Sequence, residues 1–279
     1  MHTHSLKTPR AIRYWRLTLC LLLIVTPLLI PPPAARATPA APVLPPRNDV
    51  FSDDFNGGSL ATWSTSGSPP PYLSTGSGRA GSNALAVPVN TGTSTASQSD
   101  VSRAEAGYLT FWFNPNDAVI PDAFTSWPPG NSARIAAIVS TETWWPPLIG
   151  LYVRYEDGAG YQGFLMWAEG ENENYNHETQ FPIANDWQEI TLGYRIDAWV
   201  AIWIDGVLIH YNDTTVANNN TYGDYISLGK MNTNSETTPS GTFLFDDVAF
   251  QVPRMDDLWV DAQNGDDDND GLSAGNALQ

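Results

Sequence analysis

A single cysteine, Cys20, occurs in the 279 residues, and it lies close to the N-terminus. Everything after it must be held by an apolar core or a bound metal, because no disulfide is available. Basic residues are also scarce: 13 Lys and Arg stand against 30 Asp and Glu, a formal net charge of −17. That balance excludes nucleic acid and anionic membrane surfaces as natural partners. It suits neutral glycans, cations or a calcium-rich exterior, and it also serves solubility alone. No segment carries helical periodicity, and 22 Pro and 22 Gly interrupt the chain throughout. Clustered histidines, a nucleophile elbow and a phosphate-cradling glycine loop are likewise missing; His177 and His210 stand alone.

What is present begins with an export signal. Lys7, Arg10, Arg13 and Arg16 form a basic segment, Leu17 to Ile30 an apolar run, and Ala35-Arg36-Ala37 a small-residue cleavage site. The run falls short of the ~20 residues of a membrane span and is broken by Pro27 and Pro31 to Pro33. Leu19, before Cys20, lacks the small side chain of a lipoprotein signal. Residues 1–37 are therefore expected to be a signal peptide, and the mature protein to be secreted, extracellular and free of the membrane. Cleavage leaves eight basic groups against thirty acidic ones, a net −22. Residues 38–47 (TPAAPVLPPR) read as an extended Pro-rich linker.

Residues 48–253 read as one all-β domain, because short apolar runs recur between turn residues. Eleven are legible: 50–55, 84–89, 108–113, 134–140, 148–156, 161–169, 187–195, 199–205, 207–211, 225–230 and 242–252. Two antiparallel sheets would bury their alternating apolar residues face to face. Asp205-Gly206 between two of the runs signals a two-residue hairpin, since both positions accept positive φ.

Two blocks carry a family likeness. The first is Phe51-Ser52-Asp53-Asp54-Phe55 with Trp63. The second runs from Asp186-Trp187-Gln188-Glu189-Ile190 through Trp203-Ile204-Asp205-Gly206 and Ser227-Leu228-Gly229 to Phe245-Asp246-Asp247-Val248. In order and spacing these resemble the concanavalin A-like lectin/glucanase superfamily, in its laminin-G-like branch. The resemblance implies a two-sheet jelly-roll sandwich that binds glycan or protein, with some glycosidases among its members.

Four groups of residues are candidates for chemistry. In domains resembling this one the first and last strands are often neighbours, so Asp53, Asp54, Asp246 and Asp247 are expected to converge. Carboxylates from two strands with backbone carbonyls suit Ca2+, which takes six to eight oxygen ligands. Such an ion would tie the chain ends together; the alternative is acids that end their strands with local hydrogen bonds. Trp127, Trp144, Trp145 and Tyr175 lie in turn-rich segments and are candidates for stacking on the apolar face of a sugar ring. Burial under their own prolines is the competing reading. Trp112, Trp167, Trp187, Trp199 and Trp203 fall in strand-like runs and are expected in the core or in inter-sheet packing. Finally, Glu169 and Glu173 flank Glu171 on one side of any continuing strand. They are similar to the E-x-D-x-E strand of laminarinase-type glucanases, in which one acid is nucleophile and another proton donor. Here, though, the middle acid is Glu, Gly170 and Asn172 replace apolar residues, and ENENYNHET reads as a loop.

Residues 256–279 change character. Val260-Asp261-Ala262 and then Gly265, Asp268, Asn269, Asp270, Gly271, Leu272 and Ser273 resemble the opening of secreted pectate-lyase-like right-handed parallel β-helices. The segment is either the truncated start of such a domain or an acidic tail. Asp266, Asp268, Asp270 and Gly271 match half of a calcium loop, but Ala277 stands where an EF-hand needs glutamate, so only weak calcium binding is expected.

Taken together, the chain reads as a secreted non-catalytic carbohydrate-binding or adhesion module of a larger polysaccharide-active protein. Its expected partner is a polysaccharide or cell-surface glycan. The alternatives are a laminarinase-type hydrolase acting through Glu169 and Glu173, or a structural spacer.

Overall fold

The computed structural model describes residues 44–89, 93–99, 101–119, 133–141, 147–168, 175–212, 222–231 and 240–254, with backbone alone for 175–179, 230 and 231. Fifteen strands are present among them. The first seven are β1 (Arg47–Asp53), β2 (Ser64–Gly67), β3 (Tyr72–Ser74), β4 (Ala84–Pro88), β5 (Ser94–Gln98), β6 (Ala106–Asn114) and β7 (Ala133–Val139). There follow β8 (Ile149–Glu156), β9 (Gly160–Ala168), β10 (Tyr175–Ile183), β11 (Gln188–Arg195) and β12 (Trp199–Ile204). The last three are β13 (Val207–Asn212), β14 (Tyr225–Met231) and β15 (Thr242–Pro253).

They form two antiparallel sheets. One runs β13-β12-β11-β6-β15-β4-β3, with β1 also paired to β15; the other runs β10-β9-β8-β7-β14-β5-β2. The architecture is the expected all-β sandwich. All eleven legible runs correspond to strands, with ends shifted by a few residues. Four strands escaped the reading: β2, β3, β5 and β10, the last of which includes much of the stretch read as a loop.

The core lies between the sheets. Phe111, Phe113, Phe243, Phe245 and Phe250 of the first sheet meet Ile138, Leu151, Leu165, Trp167, Ile226 and Leu228 of the second, all fully buried. Each such side chain contributes about 1.5–3 kcal/mol relative to exposure, which is how the domain does without disulfides. The Asp205-Gly206 hairpin forms as expected, with φ of 50° and 74° at its two central residues. Asp205 secures it by accepting the Glu189 N–H at 3.0 Å.

The strand tryptophans divide differently from expectation. Trp167 alone is in the main core. Trp199 and Trp203 are buried on the outer face of the first sheet with Tyr108, where Leu44 packs on them. Trp112 is half-buried beneath the Arg79 guanidinium, 4.0 Å from its ring centre. Trp187 is half-buried against Ala84, Ala86 and Leu244. Alternation explains this: in a strand every second side chain faces away from the opposing sheet, and tryptophan covers whichever face it meets.

Candidate functional site

The paired acids do come from adjacent strands. β1 lies against β15 with Asp53 opposite Val248. Asp53, Asp54 and Asp247 line one shallow surface recess of about 470 Å³ with Ser52, Gly57, Val248 and Ala249. Their oxygens, however, already serve the fold. Asp53 accepts the Phe55 N–H at 2.8 Å through one oxygen and the Trp63 indole N–H at 2.8 Å through the other. The rings of Phe51 and Phe55 sit 5.3 and 6.0 Å from that indole. The motif at residues 51–55 and Trp63 is thus one closed cluster. Asp54 accepts the Asn56 N–H at 3.0 Å.

Asp246 faces away from the recess and is buried. It accepts the Arg79 N–H at 2.9 Å, the Ser82 hydroxyl at 2.6 Å and the Asp247 N–H at 2.9 Å. Burial pushes its carboxyl above the usual range, and the three donors oppose that shift. Asp247, at φ 45°, pairs with Arg79 at 2.9 Å. Among the described residues no three His, Cys, Asp or Glu side chains are grouped so that they would share an ion.

Of the remaining candidates, Trp127, Trp144, Trp145, Glu169, Glu173, Asp266, Asp268 and Asp270 lie outside the described residues. Tyr175 opens β10 opposite Ala168. The β7–β8 connection carries Trp144 and Trp145, and the β9–β10 connection carries Glu169 and Glu173. The described strand ends flanking both connections lie at the same end of the second sheet, where the Ala168 N–H meets the Leu148 carbonyl at 3.4 Å.

Sequence reading missed the outer face of that sheet. Antiparallel pairing lines up one continuous rung across all seven strands: His177, Met166, Gly150, Ala137, Ser227, Ser97 and Ser64. Directly paired residues point to the same side, and Met166 is on the outer face, clustered with Tyr152 and Phe164 rather than with the core. From Gly150 to Ser64 every residue of the rung is glycine, alanine or serine. That stretch crosses five strands, roughly 19 Å at the usual strand spacing.

Larger residues rise on either side of this small-residue floor. One flank is Phe164, Tyr152 and Arg134, paired in that order across β9, β8 and β7. The other is Val139 and Tyr225, packed with Ala137. Gly150, Ala137, Ser227 and Ser97 are buried although they face outward, whereas Ser64 is exposed, and Arg134 and Tyr225 are half-buried. The described residues thus outline a low trough whose floor is buried along its length and exposed only at Ser64, at the β2 end. A Cβ at Gly150 would sit 3.3 Å from Cδ of Arg134, so the arginine stem lies across the floor at that point. Beyond Tyr152 on the same face, Arg154 is stacked 4.6 Å over the Phe164 ring and paired with Glu156. Glu156 also accepts the Gln180 amide at 3.0 and 3.1 Å. At the far flank Asp224 fixes the start of β14, accepting the Thr141 N–H at 2.7 Å and its hydroxyl at 2.6 Å.

The signal for this face was present in the sequence. LIGLYVRYE and YQGFLMWAE are nearly continuous in apolar residues instead of alternating, the pattern of strands buried on both faces. Which residues meet across the sheet needed the register.

Comparison with known proteins bears on the fold. No family model and no curated protein matches the chain. Solved structures do match. An endo-β-1,4-glucuronan lyase from the fungus Trichoderma reesei aligns with a TM-score of 0.52 at 13% identity, over 73% of this chain and 95% of its own. The cellulose-induced protein Cip1 gives 0.47 at 15% identity, over 72% and 96%. A carbohydrate esterase of the Shiga toxin-encoding bacteriophage phi24B gives 0.46 at 16%, over 75% and 100%. The chain is a jelly-roll sandwich. At such identities the likeness to the lyase concerns the fold alone, and the two lower scores add nothing to it.

Proposed function

We propose that the protein is a secreted, non-catalytic carbohydrate-binding or adhesion module, and that its glycan lies in the trough on the outer face of the seven-stranded sheet. The observation that carries this reading is the small-residue rung. A floor of Gly150, Ala137, Ser227, Ser97 and Ser64 admits an extended chain of rings, while Tyr225 and Tyr152 flank it. Ligand sites combine such concavity with a few fixed polar groups. The polysaccharide substrate named for the lyase that shares the fold agrees with this choice without determining it. Trp144 and Trp145 belong to a connection anchored at the end of the sheet nearest Gly150, and they remain the proposed stacking residues.

Affinity electrophoresis of the mature chain through gels containing single polysaccharides tests the reading. Retardation by at least one glycan is expected, with Ser97→Leu, which fills the floor, abolishing it while the melting curve stays cooperative. Retardation unchanged in Ser97→Leu and in the Trp144→Ala, Trp145→Ala double variant removes both parts of the site. Reducing-sugar release from laminarin or mixed-linkage glucan would instead favour hydrolysis through Glu169 and Glu173.

A further inference from the structure

The outer face of the eight-stranded sheet carries aromatic residues that the trough does not use. Tyr108 of β6 pairs with Gly193 of β11, Gly193 with Ala201 of β12, and Ala201 with Tyr211 of β13. Trp199 and Trp203 lie two residues to either side of Ala201 and share its face. A Cβ at Gly193 would stand 2.9, 3.0 and 3.1 Å from the rings of Trp203, Tyr108 and Trp199. All three rings therefore lean over β11 at its glycine. Together they make a low platform from β6 to β12, two strand spacings or about 10 Å wide.

An outward-facing platform is ordinarily wet, yet Tyr108 is 1% exposed, Trp203 2% and Trp199 9%. Described residues at the start of β1 and just ahead of it lie over these rings. Leu44 packs against the cluster. Arg47 holds its guanidinium 5.3 Å over the Tyr108 ring and donates to the Thr110 hydroxyl at 3.2 Å. Between them Pro46 is tied down at its carbonyl, which accepts the Arg254 N–H at 3.2 Å. The chain ahead of β1 thus turns in over the sheet. Residues 41–46 (APVLPP) are uncharged and include three prolines. Proline presets an extended backbone that loses little entropy on docking, and aromatic-lined surfaces recognise such segments. At ~3.1 Å per residue, the three residues ahead of Leu44 span about 9 Å, enough to cross the platform.

We propose that this face is a recognition surface for an extended proline-rich segment, and that its occupant is the chain's own residues 41–46. The Pro-rich stretch ahead of the domain is then a docked strap and not a free spacer. It keeps the aromatic platform out of reach of sugars and of other proteins. The glycan reading stands apart from it, since the trough lies on the opposite sheet.

The test is iodide quenching of tryptophan fluorescence, comparing the mature chain with a variant whose residues 41–45 are replaced by Gly and Ser at equal length. Ten of the eleven tryptophans belong to the mature chain, Trp15 lying in the expected signal peptide. Replacement should raise the quenchable share by up to two of those ten indoles. It should also lower the melting temperature by about 2–6 °C, the loss of one partly buried leucine. Leu44→Ser should show both effects in part, and the quenching gain should shrink when Trp199→Phe or Trp203→Phe is added. Quenching unchanged by the replacement overturns the proposal. A gain that persists in full with either phenylalanine comes from indoles elsewhere and overturns it too. Protection in the unaltered chain that vanishes on dilution, as light scattering shows a dimer dissociating, assigns the face to a second copy and overturns the intramolecular occupant.

Discussion

Asp246 illustrates how a side chain that looks like a metal ligand serves the fold instead. Three donors converge on its carboxylate, and one of them, the Arg79 N–H, lies 167 residues away in sequence. Asp246→Ala leaves those donors without their acceptor in a buried place and should cost about 2–3 kcal/mol in denaturant unfolding. Its titration has a definite sign. Burial raises the folded-state carboxyl above its ordinary value of 3.8, so this group favours the fold when protonated. That contribution is complete below 3.8 and is lost as pH rises through the elevated folded value. Asp246→Asn should therefore flatten the stability–pH profile just above 3.8, measured as denaturation midpoints across an acidic series. Trp167 tells a complementary story: its fully buried indole N–H has no hydrogen-bond partner among the described residues, and its ring lies 5.5 Å from His210. Trp167→Phe removes that unmet donor along with some ring volume. It should cost less than the 3–5 kcal/mol typical of an aromatic-to-alanine change at a buried site, and Trp167→Ala provides the comparison.

Strands and turns differ in how openly they announce themselves. The β12–β13 hairpin was legible because Asp205-Gly206 is a local signal, both residues taking positive φ. Gly206→Val forces a β-branched residue into that region and should lower stability by about 1–3 kcal/mol, read from the melting temperature. β13 is an edge strand with Val207 and Ile209 exposed, and its register slips between Ile202 and Trp203, opposite Ile209. A bulge there disrupts the free edge against strand-to-strand association. β2 (STSG) and β5 (STASQ) were illegible for the opposite reason. They contain almost no large apolar residue, and their strand character comes from pairing with each other and with β14. β10 was read as a loop because its polar residues 175–180 show no period; pairing with β9 makes it a strand.

Pairing of β1 with β15 joins residues 47–53 to residues 248–253 and closes the first sheet. Because the acids at that junction already hold hydrogen bonds and an ion pair, differential scanning calorimetry with and without chelator should give the same melting temperature. A clear fall on chelation would mean that calcium ties these strands together. The strand-rich class, the absence of disulfides and the Asp205-Gly206 turn were fixed by local features, since composition, period-two alternation and backbone preference act over a few residues. The fate of Asp53 and Asp246 was not, because the partners that satisfy them are brought in from Trp63, Arg79 and Ser82 by folding. Nor was the trough. Its floor is drawn from Ser64, Ser97, Ala137, Gly150 and Ser227, and a one-residue slip in any strand's register would turn that strand's contribution to the opposite face. Register is set by contacts between distant segments, so the site exists only once the two sheets have closed on their core.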